Sequence, residues 1–410
     1  MIKILFFSLT FFSQVFCVFG SDFKIKSHRT YANESEGSFP IVIIDENGNN
    51  ELAIEFDIES NFQPDLIIEF YFCDKNWKPY ESYFFSNQGS NIAYNLWYDT
   101  LPVSVEGANY HFKGTFPNFD VTFPFSGKWI YYVVDNTNNT ALATGKFFVV
   151  QPEVKLQGRL YQDRLNDLDM ANSLPEKTFR VSVDFNLPDE LFPGEVDCVE
   201  IIENQVIDYP YIIDRYEYNN LRYIEWDASK RFTFVAKDII AGNEYRTTDF
   251  SDARRFFQPV LNANIDGFDI SRNYFHARPD NNGRSRLVNF SNDNADYIPV
   301  NFRLQPSERI KDDIFLIGSF NNWKVLPEYK LARDDERFEL NIELKRGRYD
   351  YQYVTGNLAD GFVENVNWSR IEGNFWETKS DYHIFLFYNS TELGGYDKII
   401  GYYKLSGGVK

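Results

Sequence analysis

At 410 residues the chain has room for two to four domains with ample core. A formal net charge of −19 argues against nucleic acid as a partner, because the phosphates would repel it. Aromatic residues make up 18% of the chain, with 40 Phe and 27 Tyr, which suits strands with large inward side chains more than a helical protein.

Met1 to Gly20 reads as a secretory signal peptide. Lys3 supplies the positive start, the apolar run Ile4 to Phe19 is too short for a membrane span, and Val18 and Gly20 suit the cleavage site. The residues before Cys17, Gln14-Val15-Phe16, do not form a lipobox. No later apolar run is long enough to cross a bilayer as a helix, so the expected mature protein is exported.

Residues 21–152 read as a first β-sandwich. Pro40 to Ile44, Leu52 to Ile58, Leu66 to Cys73, Tyr110 to Phe116, Trp129 to Val134 and Gly145 to Val150 are short apolar or alternating runs separated by turn residues. A second sandwich is expected over 153–265, from Phe179 to Phe185, Val196 to Ile202, Tyr223 to Trp226 and Phe232 to Ala236. Polar residues dominate a connecting segment, 266–298. The third sandwich, 299–410, begins at Pro299 to Leu304 and continues with the buried run Ile314 to Gly318. Phe338, Leu340, Ile342 and Leu344 alternate with polar residues, and Tyr349, Tyr351 and Tyr353 do the same after Lys345-Arg346-Gly347. Period two places one set on each face of a sheet, and predicts a β-hairpin with one packed face. Thr378 to Tyr388 and Gly395 to Tyr403 are expected to close that same unit. The predicted fold is therefore all-β, with three immunoglobulin-like β-sandwich domains in series.

No catalytic constellation emerges. His28, His111, His276 and His383 are far apart in sequence and have no paired spacing. Asp312-Asp313 and Asp334-Asp335-Glu336 lack calcium-loop spacing and read as solvated turns. We assign no catalytic, cofactor or metal residues, and expect a non-enzymatic protein without cofactor. Cys73 and Cys198 fall in different expected units and read as buried free thiols. Trp77, Trp323 and Trp376 each sit beside turn-forming residues. There an indole either anchors a partner or packs over the end of its own sandwich.

Several motifs recur in order along the mature chain. They are Phe72-Cys73-Asp74-Lys75-Asn76-Trp77, Ser126-Gly127-Lys128-Trp129, Phe148 to Pro152, Ala241 to Arg246, Ala295-Asp296-Tyr297, Gly347 to Tyr353, Ile371-Glu372-Gly373, Asp381-Tyr382 and Tyr396 to Gly401. Together they resemble the Plug proteins of the type IX secretion system, with Phe72 and Asn76 standing where that family usually has His and Asp. The resemblance implies a periplasmic protein, peripherally associated with the outer membrane. It would dock on the translocon barrel protein and occlude it when no cargo passes.

A narrower likeness covers the third unit alone. Ile317 to Trp323 with Gly347 to Tyr353 resembles glycogen-binding modules, which implies an alternative function as an exported glycan-binding protein. Trp323 would stack on a glucose ring, with Phe362 as the second aromatic by position. Gln352 stands where those modules carry a lysine, so common fold is the stronger reading than common ligand.

Overall fold

The computed structural model describes residues 23–407 except 33–34, 46–47, 88, 166–175 and 218. The signal-peptide assignment, 1–20, lies outside the described residues. The chain is all-β, as expected, and its six sheets face each other in three pairs.

The first pair sets the order Phe23–Ala32, Leu52–Ser60, Tyr110–Phe116, Tyr98–Thr100 against a six-stranded sheet. That second sheet runs Gly48–Asn49, Ile41–Asp45, Thr140–Val150, Gly127–Asp135, Leu66–Cys73, Ile92–Ala93. Alternation puts Ile54, Phe56 and Ile58 from one sheet onto Phe70, Tyr131 and Phe147 from the other. Thr140–Val150 ends in a continuous apolar run, and this has a consequence. Phe147 and Val149 enter the first core, while Phe148 and Val150 point out of the back of the sheet.

The second pair corrects the sequence reading. Gln157–Leu165, Glu176–Asn186, Arg231–Ile240 and Arg222–Trp226 form one sheet. Its partner has the order Tyr211–Asp214, Val196–Glu203, Asp381–Ser390, Tyr396–Ser406. The two C-terminal strands therefore do not close the third unit. They pair antiparallel with Val196–Glu203, Leu386 opposite Val199, and bury Tyr382, Ile384 and Leu386 in the second core. The run Ile384 to Phe387 is apolar on both faces. It can complete one core while covering another, which alternating strands cannot do.

The third pair starts earlier than expected. Arg246–Asp249 and Ser285–Leu287 flank Gly347–Ala359, which also pairs with Asp313–Gly318 and Phe362–Asn367. The opposite sheet holds Leu261–Asn262, Tyr297–Gln305, Arg337–Lys345 and Ala332–Asp334, with Asp269–Ile270 beside Tyr297–Gln305. Residues 266–298 thus belong to this unit's sheets and turns and do not merely connect units. Nor do Arg337–Lys345 and Gly347–Ala359 form a hairpin. The chain crosses from one sheet to the other at Arg346, whose guanidinium is buried against Asp296 at 2.7 Å. Period-two alternation specifies which face is packed, and it is silent on whether the neighbour is paired or stacked.

Candidate functional site

The sequence motifs gather at the seams between the pairs. Phe148 and Val150 on the back of the first pair meet Cys198, Ile202, Phe385, Phe387 and Ile399 on the back of the second. Within this apolar layer the Lys128 ammonium reaches the Glu200 carboxylate at 2.7 Å, both side chains 2% exposed. Burial lifts the Glu200 carboxyl above its ordinary range despite that partner. Lys75 adds a bond to Asp197 at 2.7 Å, and its backbone N–H donates to Asp397 at 2.8 Å. His383 stacks on Phe39 with ring centroids 3.8 Å apart, and burial lowers its imidazole to about 3.

A different seam joins the first pair to the third. Asp57 is its hub: His111 Nδ1 lies 2.6 Å from one carboxylate oxygen, and the Tyr297 hydroxyl and Lys345 ammonium both lie 2.7 Å from the other. Burial alone would raise the Asp57 carboxyl, but the His111 bond and the Lys345 charge outweigh it and hold it below its ordinary value. Lys26 bonds Glu59 of its own sheet and, across the same seam, Glu343, both at 2.7 Å.

The second and third pairs meet through Ala241 to Arg246. The Arg246 guanidinium bonds Glu372 at 2.9 and 3.0 Å and Asp269 at 3.1 Å. Asn243 donates to the Glu372 carbonyl at 2.8 Å. Asp350, the centre of the tyrosine motif, accepts the Asn281 and Gly283 N–H groups at 2.7 and 3.0 Å, and burial beside Asp280 lifts its carboxyl to about 7. Tyr351 and Tyr353 both donate to Asp269 at 2.9 Å. A cleft of about 450 Å³ between these pairs is lined by Tyr209, Tyr211, Tyr245 and Trp368, among others. Several of its polar groups are occupied: Asn204 bonds Tyr245 and Ser380, Asp280 accepts from the Tyr245 N–H, and Arg222 pairs with Asp238.

The four aromatics proposed from sequence are not brought together. Trp323 is 1% exposed and donates its indole N–H to the Gly283 carbonyl at 2.7 Å, against Tyr245. It offers no face to a sugar ring, which corrects its reading as a stacking residue. The turn does this: Asn322 and Trp323 both take left-handed φ, 53° and 58°, and fold the indole back into the protein. Trp77, also at positive φ, is half-buried in the first seam, with the Lys128 and Lys146 ammonium groups 4.8 and 4.7 Å from its ring. Trp376 is half-buried and donates to the Thr178 carbonyl at 3.0 Å. Phe362 alone is exposed, at 74%. Cys73 and Cys198 are buried free thiols, and burial pushes the Cys73 thiol up to about 12.

Sequence reasoning missed a cluster on the first pair. Tyr83, Phe84, Tyr94, Trp97 and Phe119 are all exposed, Trp97 by 89%. Their two loops are tied together: Asn87 donates to the Thr122 carbonyl at 2.8 Å, the Thr122 N–H donates to the Ser90 carbonyl at 2.9 Å, and Asn91 bridges to Val121. Among the described residues no group of three or more His, Cys, Asp or Glu could hold a metal, and no helix is long and apolar enough to cross a membrane.

The fold and these surfaces define an all-β protein whose exposed features suit recognition by contact. Residues 25–151 match the family model described as the type 9 secretion system plug protein 1st domain. A similar overall fold occurs in a crystal structure of a hypothetical protein from Parabacteroides merdae ATCC 43184. That structure has a TM-score of 0.75 at 19% identity, over 94% of this chain and 97% of the other. No curated protein matches.

Proposed function

We propose that this is a non-enzymatic periplasmic protein, exported by the signal peptide at 1–20. It docks on the periplasmic mouth of the type IX outer-membrane translocon and occludes it when no cargo passes. The match of residues 25–151 to the plug first domain carries this reading. The buried seams support it, because an occluding body must hold its shape at the mouth. We read its three sheet pairs as immunoglobulin-like sandwiches. A contact that is tight yet displaceable suits about 1,200–2,000 Å² of buried area with a few aromatic anchors.

A strain lacking the protein should admit a bulky antibiotic or dye through the idle channel, and crosslinking in cells should capture the barrel protein. Unchanged permeability together with no barrel protein in the crosslinked fraction would end the proposal.

A further inference from the structure

The exposed aromatics Tyr83, Phe84, Tyr94, Trp97 and Phe119 form a rim on the first sheet pair. Between Pro79 and Gly127 the single Lys or Arg is Lys113, and its ammonium sits 5.7 Å from the Tyr31 ring. Glu81, Asp99 and Asp120 are exposed in the rim segments. Large exposed aromatics and carboxylates thus share segments that carry a single lysine, and exposed apolar clusters mark interaction sites.

Charge decides among occupants. Anionic lipid headgroups would meet three exposed carboxylates against the one lysine of these segments, Lys113. A second copy placed face to face would set the same carboxylates against each other, since a two-fold contact is self-complementary. Arg or Lys side chains satisfy both features at once, over the aromatic faces and against the carboxylates. The rim also lies within the residues that match the plug family.

We propose that this cation-poor aromatic rim is the face that seats on the outer-membrane barrel, and that the barrel's contact surface presents Arg or Lys among apolar side chains. The inference rests on the docking reading above and adds the surface and the partner's chemistry.

The test places a photo-crosslinking amino acid at Phe84, Trp97 or Phe119 in cells, with Phe362 as an exposed control position. Adducts with the translocon barrel from the rim and none from Phe362 are expected. Barrel adducts from Phe362 alone would overturn the rim assignment and leave docking standing. No barrel adduct from any position would overturn the rim assignment, and docking itself would fall only if permeability were unchanged in the deletion strain as well. With purified protein and barrel, the pair W97A/F119A should weaken binding about tenfold or more, with thermal unfolding unchanged because both side chains are exposed. The triple charge reversal E81K/D99K/D120K should also weaken binding, and to a greater extent at low salt. Unaltered binding by that triple variant would overturn the cationic partner. Co-sedimentation of the wild type with phosphatidylglycerol vesicles, lost in W97A/F119A, would assign the rim to lipid and overturn the proposal.

Discussion

Two seams hold the first sheet pair to the rest of the molecule, and they use different chemistry. Against the second pair it buries Phe148, Val150, Phe385 and Ile399, with the Lys128–Glu200 ion pair set into the apolar layer and Lys75–Asp197 beside it. Against the third pair a smaller apolar cluster, Leu101, Val105 and Ala108 with Ala295 and Tyr297, surrounds a polar hub in which Asp57 meets His111, Tyr297 and Lys345. Apolar layers are forgiving in orientation and gain stability with area. A buried polar hub contributes less net stability but tolerates one arrangement, because a misplaced partner leaves a charge unpaired. The larger apolar layer of the first seam therefore supplies most of the adhesion, and the hub of the second sets the angle at which the pairs are held.

The largest effect should come from breaking the hub. Asp57→Ala leaves the Lys345 ammonium and the Tyr297 hydroxyl buried without their shared acceptor, and should cost about 3–5 kcal/mol in urea unfolding. The double variant Asp57→Leu with Lys345→Met should recover most of that loss, since it removes both charges. A loss below about 1 kcal/mol for Asp57→Ala would remove the hub from the account.

Acid should separate the seams in a less obvious way. His383, in the apolar seam, has its folded value lowered to about 3, so its contribution is present above about 6.5 and is lost as pH falls from there. Asp57, held below its ordinary value, keeps its contribution until pH falls below the usual carboxylate range. At pH 5 the apolar seam is then the weakened one, by about 2 kcal/mol from His383. Compared with the wild type, His383→Phe should raise the melting temperature at pH 5 relative to that at pH 7; an unchanged difference would remove His383 from the acid response.

Ile399→Val tests the apolar seam with a single methylene, at about 1 kcal/mol. Smallest of all, Phe362→Ala should lie within about 0.5 kcal/mol, its ring being exposed and unpacked. The same variant should leave retention on insoluble α-glucan unchanged; a loss of retention would revive a sugar site.

Much of the strand content was legible, because Leu52–Ser60, Leu66–Cys73 and Arg337–Lys345 carry clear apolar alternation or runs. Phe23–Ala32 escaped, since Lys24, Lys26, His28 and Arg29 interrupt the pattern and a bulge breaks its register after Lys26. Pairing was harder than strand content. The runs Phe147 to Val150 and Ile384 to Phe387 announced strands covered on both faces, and only that property explains why the C-terminal strands close the second pair. The rim had a sequence signal as well, in the near absence of Lys and Arg from Pro79 to Gly127, but exposure of its aromatics depends on loop geometry. For Trp323 the sequence left anchor and core readings open, and the left-handed pair at Asn322 and Trp323 turns the indole inward.

The central claim is that these seams make one body of three sheet pairs. Hydrogen exchange across a urea series tests it most directly, followed by peptide in Gly127–Asp135, Val196–Glu203 and Asp381–Ser390. The account predicts that the three segments lose protection together, at one midpoint. Exchange of Gly127–Asp135 at a urea concentration where Val196–Glu203 and Asp381–Ser390 remain fully protected would contradict it.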